Sequence, residues 1–182
     1  MNTFKTILGA LALSLASATS TVQAQTVLTF EDTECSGSMG LYSGVNFLST
    51  WTCYSDAQSP YNAKSGTNRI YTYGGDEFTF ASTRFQGAWF AGYYNVNFEL
   101  YSGASLVWTS GSASISDTPM FLASGYTGDV DRVRVVGTPG FYVMDDVTFG
   151  APTTTVPEPS SVVLMGAGLL GLGGVIRRRK RA

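Results

Sequence analysis

The stretch Tyr94-Asn95-Val96-Asn97-Phe98-Glu99-Leu100 decides the fold class. Tyr94, Val96, Phe98 and Leu100 fall on one face, and Asn95, Asn97 and Glu99 on the other. That period of two belongs to a half-buried β-strand. Ser102-Gly103-Ala104-Ser105 then turns the chain into Leu106-Val107-Trp108, a hairpin partner. Working outward, short strands are predicted at Thr26–Phe30, Ile70–Tyr73, Glu77–Phe80, Gly87–Phe90, Met120–Ser124, Arg132–Val136 and Phe141–Phe149. Gly, Ser, Asn and Asp punctuate nearly every gap. No segment between residues 25 and 150 sustains a helical apolar period beyond one or two turns. The expectation is an all-β domain of about seven to nine strands, a two-sheet antiparallel sandwich with a jelly roll as the leading topology. The stretch Gly37 to Asn68 reads as loop-rich.

Composition narrows the chemistry. A chain of 182 residues suits one domain of ordinary size. Charged residues make up 13%, half the usual share, and aromatics also reach 13%. The chain has no histidine, which removes Ser–His–Asp and Cys–His nucleophile systems and His-ligated zinc together. Residues 25–155 carry 12 acidic and 5 basic side chains, so this body is near −7, although the whole chain is only −2. A surface of that sign repels phosphate backbones and anionic lipids, so nucleic acid is not expected as a partner.

The basic residues are concentrated at the two ends. Residues 1–24 read as a signal peptide: Lys5 supplies the positive start, Ile7 to Ala16 a short apolar run, and Val22-Gln23-Ala24 a cleavage site before Gln25. That run is far shorter than the roughly 20 residues that span a bilayer. At the other end a Thr/Pro spacer, residues 151–155, leads into Val156-Pro157-Glu158-Pro159-Ser160-Ser161. The prolines flanking Glu158 hold this strip extended. An apolar, glycine-rich run from Val162 to Ile176 follows, then Arg177-Arg178-Arg179-Lys180-Arg181. With the run started at Pro159, a helix makes a marginal transmembrane span, and the basic cluster keeps its own end inside.

Residues 156–181, within a tail expected over 156–182, resemble the PEP-CTERM sorting tail of Gram-negative bacteria, through Pro157-Glu158-Pro159, the Gly/Leu-rich helix and the closing basic cluster. The resemblance implies handling by an exosortase, a membrane-embedded peptidase, with a transient stay in the inner membrane and delivery to the cell surface or extracellular matrix. A permanent anchor is the other outcome open to such a tail.

Within the body, residues 25–150, Cys35 and Cys53 are the only cysteines. In an exported domain an even pair reads as a disulfide, stabilising by about 3 kcal/mol on the chain-entropy estimate; two buried thiols are the alternative. Acids pair at both ends of the body, Glu31-Asp32 after Phe30 and Asp145-Asp146 in the last strand. Alternation places Asp145 on one row with Val143, Val147 and Phe149, the row expected to face the core. A carboxylate there needs a cation or several donors. Four acids brought together by adjacent first and last strands would suit a structural Ca²⁺. A β-bulge turning the aspartates to solvent, or a hydrogen-bonded pair at a strand edge, is the other reading. Phe30-Glu31-Asp32 and the strand Tyr142 to Phe149 also resemble the sandwich bodies common among PEP-CTERM-tailed proteins, and more distantly jelly-roll carbohydrate-binding modules.

Twenty-three of the 24 aromatics fall between Phe30 and Phe149. Trp51, Tyr54 and Tyr61, in the loop-rich stretch beside Asp56 and Asn62, are candidates for stacking on sugar faces. Tyr93, Tyr101 and Tyr126 are further ones, and core filling is the alternative for each ring. A glycosidase needs two carboxylates facing each other across a cleft, and no spacing singles out a pair among Glu77, Glu99, Asp117 and Asp129. With no such pair the body reads as non-catalytic, and the resemblance to PEP-CTERM-tailed proteins implies a structural, adhesion or glycan-associated protein with exopolysaccharide as a candidate partner. A secreted glycoside hydrolase acting on matrix polysaccharide is the alternative.

Overall fold

The computed structural model describes residues 24–74 and 76–150. The predicted leader up to residue 23, the spacer, and the sorting tail with Pro157, Glu158, Pro159 and the cluster Arg177 to Arg181 lie outside the described residues. Among the described residues the chain forms β1 (Thr26–Leu28), β2 (Leu41–Tyr42), β3 (Val45–Asn46), β4 (Trp51–Tyr54), β5 (Arg69–Thr72), β6 (Glu77–Thr83) and β7 (Phe85–Gly92). It continues with β8 (Asn95–Ser102), β9 (Ser105–Thr109), β10 (Ala113–Ser114), β11 (Met120–Ala123), β12 (Val130–Val136) and β13 (Tyr142–Phe149). The strands make two antiparallel sheets packed as a sandwich. The first runs β11-β7-β13-β5-β4, with β1 also on β13; the second runs β10-β8-β12-β6-β3-β2, with β9 also on β8. Each predicted strand has a counterpart. The additional β2, β3, β4 and β10 are two to four residues long, and three of them fall in the stretch that reads as loop.

The alternation in β8 works as its sequence dictates. Val96, Phe98 and Leu100 are fully buried, while Asn97 and Glu99 face outward. Tyr94 departs from it. It sits in the turn between β7 and β8 with φ 70° and is 59% exposed, because the chain reverses there before the strand begins. The core is built from rings of both sheets: Phe98 of β8 meets Phe85 of β7 edge-on at 4.9 Å, and Trp51 of β4 meets Phe78 of β6 at 6.3 Å. Burying each such side chain stabilises the fold by about 1.5–3 kcal/mol, and these rings fill space beside a few long aliphatics such as Ile70 and Leu100.

Strand pairing and a bulge set the geometry of the first sheet's outer face. β1 pairs with β13, Thr26 opposite Phe149 and Leu28 opposite Val147, so the first and last strands are neighbours. β13 contains an irregularity between Asp145 and Thr148, with Asp146 in the left-handed region at φ 45°. Before this bulge Tyr142 and Met144 join the core; after it Val147 and Phe149 do. Asp145 is therefore not on the core row with Val147 and Phe149. The extra residue shifts the phase of the strand, and Asp145 points to the outer face of the first sheet. Cys35 and Cys53 form a disulfide with Cα atoms 4.9 Å apart, tying the segment after β1 to β4.

Candidate functional site

On the outer face of the first sheet, the ends of β4, β5 and β13 leave a cleft of about 280 Å³. Its lining is Tyr54, Gln58, Tyr61, Tyr71, Tyr73, Gly140, Tyr142 and Val143, none of them formally charged at neutral pH. Alternation puts Tyr71 and Tyr73 on the side opposite Ile70, so both rings face outward and meet at 5.1 Å. Tyr54, diagonal to Tyr71 across the strand pair, reaches it at 6.1 Å. The Arg69 guanidinium lies 4.3 Å from the Tyr54 ring centroid, and the Tyr54 hydroxyl donates to Gln58 Oε1 at 2.5 Å. Gly140, at φ 78°, holds the opposite wall; a side chain there would run into the Tyr73 ring. Burial, then neighbouring tyrosines, raise the pKa of the Tyr61 and Tyr71 phenols. Both stay protonated at physiological pH, able to donate and accept.

The segment between β4 and β5 supplies Gln58 and Tyr61, and it is fastened by carboxylates. Asp145 Oδ2 accepts from the Lys64 and Ser65 amides at 2.8 and 3.0 Å, and Asp145 Oδ1 from the Asp146 amide at 2.7 Å. Asp146 accepts from the Ser65 hydroxyl at 2.6 Å. Glu31 Oε1 accepts from the Thr67 and Asn68 amides at 3.0 and 2.6 Å. Arg69, itself buried, donates to the carbonyls of Thr67 and Asp56. Lys64 lies 4.2 Å from the Trp89 ring centroid. Asp145 is only 2% exposed, and burial pushes its pKa up to about 6 against the lowering by its amide donors.

The candidate residues of the sequence separate accordingly. Tyr54 and Tyr61 line the cleft, and Tyr93 touches Tyr61 at 6.0 Å. Trp51 does not belong to it: the ring is fully buried between the sheets and its indole donates to the Glu77 carbonyl, because β4 turns its odd residues inward. Tyr101 lies on the second sheet against Arg132, and Tyr126 stacks on Trp108 elsewhere. Glu31, Asp32, Asp145 and Asp146 do not gather around one point. Asp32 accepts from the Tyr42 hydroxyl, and the other three hold the segment 64–68. Among the described residues no group of three acids or cysteines is placed to hold a metal ion. Of the two ways to keep Asp145 charged, the structure shows donors. Glu77 and Glu99 are ion-paired on the second sheet, and Asp117 and Asp129 are exposed in connections. Tyr71 and Tyr73 line the cleft but were not among the site residues expected from the sequence. The one available signal was Ile70-Tyr71-Thr72-Tyr73, whose two tyrosines share a face opposite a buried isoleucine.

Residues 155–180 match the PEP-CTERM protein-sorting motif. The motif implies exosortase processing and an exported, surface-sorted protein. No curated protein matches the sequence. A solved mutant of CBM29-2, from a study of ligand recognition by family 29 carbohydrate-binding modules, is similar in fold. Identity is 15% and the TM-score 0.42, over 70% of this chain and 91% of that one.

Proposed function

We propose that the C-terminal motif delivers a non-catalytic, glycan-associated β-sandwich to the surface or extracellular matrix of a Gram-negative bacterium. Residues 1–24 act as leader, 25–150 as the body, 151–155 as spacer and 156–182 as the sorting tail. The uncharged tyrosine cleft is the observation that carries the binding role. Phenol rings offer flat apolar faces to the C–H faces of a sugar and hydroxyls to its rim, and such pockets combine apolar walls with a few polar groups. A body charge near −7 favours neutral glycans over anionic ones. β13 begins at the cleft and ends before Gly150, where the chain passes to the tail. The eight residues of β13 span roughly 25 Å at about 3.3 Å per residue, so the cleft lies at the opposite end of this strand from Phe149.

Incubating the exported protein with exopolysaccharide tests this reading. Retention without new reducing ends is expected, weakened at least tenfold by Tyr61→Ala with Tyr73→Ala. Absence of retention would remove the binding role, and release of reducing ends would replace it with hydrolysis. For sorting, Glu158→Ala should leave unprocessed protein in the inner membrane; normal processing would mean that the Pro-Glu-Pro strip is not what the exosortase recognises.

A further inference from the structure

We infer that β11 is an interface strand, along which two copies of this chain pair antiparallel and join their first sheets into one. A strand at the rim of a sheet carries unpaired N–H and C=O groups, and folds shorten, bend, cover or charge such rims. Other rims of this sandwich are treated in these ways. β4 is covered: the Cys53 amide donates to the Gly37 carbonyl at 2.9 Å and the Met39 amide to the Trp51 carbonyl at 2.8 Å. β9 is bulged where it meets Leu100 and Tyr101, and β1, β2 and β10 are two or three residues long. β11 has none of these devices. It pairs with β7 alone among the described strands, in unbroken register from Met120–Phe90 to Ala123–Gly87.

The register fixes which groups are offered. The Ser124 amide donates to the Gln86 carbonyl at 2.7 Å, continuing the β11–β7 ladder. Bonding alternates along an antiparallel pair, so Met120 and Leu122 turn their amides and carbonyls to β7, and Phe121 and Ala123 turn theirs to the open side. Both of these residues are exposed. A twofold axis at Leu122 sets Phe121 opposite Ala123 of the partner subunit, and each such pair exchanges two hydrogen bonds. Centring the pairing on Phe121 would set Ala123 against Pro119, which has no amide to give. Centring it on Ala123 would set Phe121 against Gly125, which leaves the strand at φ 73°.

Charge selects a second copy as the occupant. A body near −7 repels its own kind over most of its surface. Between Glu99 and Asp129, however, Asp117 is the only charged residue, and this stretch supplies most of β8 together with β9, β10 and β11. The fold brings β9 and β11 to one side of the sandwich: the Trp108 indole of β9 donates to the Ser124 carbonyl at 2.8 Å, and Tyr126 stacks on that ring. Leu106, Trp108 and Phe121, 52%, 42% and 38% exposed, make this side apolar as well as uncharged. Two acidic copies can meet here without opposing like charges, whereas a basic partner would find its counter-charges elsewhere on the body.

A twofold axis across paired edges keeps both outer faces on the same side. The β5 strands of the two copies then lie seven strand spacings apart, roughly 34 Å at about 4.8 Å per strand. Two clefts facing one way can hold one polysaccharide together, a use that rests on the glycan-binding role proposed above.

Sedimentation equilibrium of the full-length protein in a neutral detergent tests the pairing with no glycan present. A dimer with a Kd below about 100 μM is expected. Ala123→Lys, at an exposed position, should return it to monomer and move Tm by less than about 2 °C. Phe121→Cys protein mixed with Ala123→Cys protein should form a mixed disulfide, since hydrogen-bonded partners hold their Cα atoms about 5.5 Å apart. A monomeric wild type, a dimer unaffected by Ala123→Lys, or failure of the mixed disulfide to form would each overturn the interface. Retention on exopolysaccharide should fall at least tenfold with Ala123→Lys as the second contact is lost. Unchanged retention by that monomer would overturn the shared use of the clefts. A dimeric wild type that is not retained at all would remove the glycan role and leave the pairing in place.

Discussion

The two outer faces of the sandwich use the same kinds of residue to opposite ends. On the second sheet Arg132 pairs with Glu77 at 3.4 Å, and Arg134 bridges Asp76 and Glu99 at 3.3 and 3.4 Å, all partly open to water. These are cross-strand contacts on a solvated face, and pairs of that kind contribute about 0–1 kcal/mol each. On the first sheet the acids are fewer, Asp145 covered and Asp146 half-buried. Asp145 is buried beneath the segment 64–65 and meets three amide donors in place of a guanidinium fork. Carboxylates thus solubilise one face and fasten a cleft wall to the other. What separates the roles is whether a stretch of irregular chain lies over the sheet.

The contrast is open to direct attack. Asp145→Ala should do the greatest damage, since it leaves the part-buried amides of Lys64, Ser65 and Asp146 without this acceptor. Roughly 2–3 kcal/mol should be lost in urea unfolding, together with glycan retention through the freed Gln58 and Tyr61. A loss below about 1 kcal/mol would mean that the segment is held by something other than this carboxylate.

Acid should act on the same group with a definite sign. Because the folded pKa of Asp145 is about 6 and its ordinary value is 3.8, the folded state binds the extra proton between these limits. The contribution of Asp145 to stability is therefore most favourable below about pH 4. It declines as pH rises to about 6, by up to roughly 3 kcal/mol. Chemical unfolding of Asp145→Asn should lack this slope; an unchanged slope would assign it to another residue.

A smaller effect is expected at Gly66. It sits at φ 52° with the Glu31 carboxylate against the position a Cβ would take. Gly66→Ala should cost about 1–3 kcal/mol by strain and by displacing the acceptor of Thr67 and Asn68. The smallest belongs to the open face: Glu99→Ala should change stability by less than about 1 kcal/mol. A thermal shift for Glu99→Ala as large as that for Gly66→Ala would erase the distinction between the faces.

Much of the fold is legible in the residues. Val96, Phe98 and Leu100 announce a strand with one buried face, and the last strand is readable from Tyr142 to Phe149. The even cysteine pair reads as the bridge that the structure contains. The segment from Gly37 to Asn68 is not legible in this way. Its strands are two to four residues long, too short for alternation to rise above composition. Its conformation depends on Glu31, Asp145 and Asp146, at least 35 positions away along the chain for each amide or hydroxyl they accept. Trp51 shows the same limit: its neighbours look like loop, yet three aromatic partners enclose it.

The sorting motif, the all-β class and the acidic character of the body follow from the amino-acid sequence alone, because each rests on composition or on a period within a few residues. The phase shift at Asp146, the burial of Asp145 and Trp51, and the gathering of Tyr54, Tyr61, Tyr71 and Tyr73 into one cleft were settled only by the tertiary structure. A side chain's face depends on local backbone phase, but its exposure depends on which distant segment comes to lie over it.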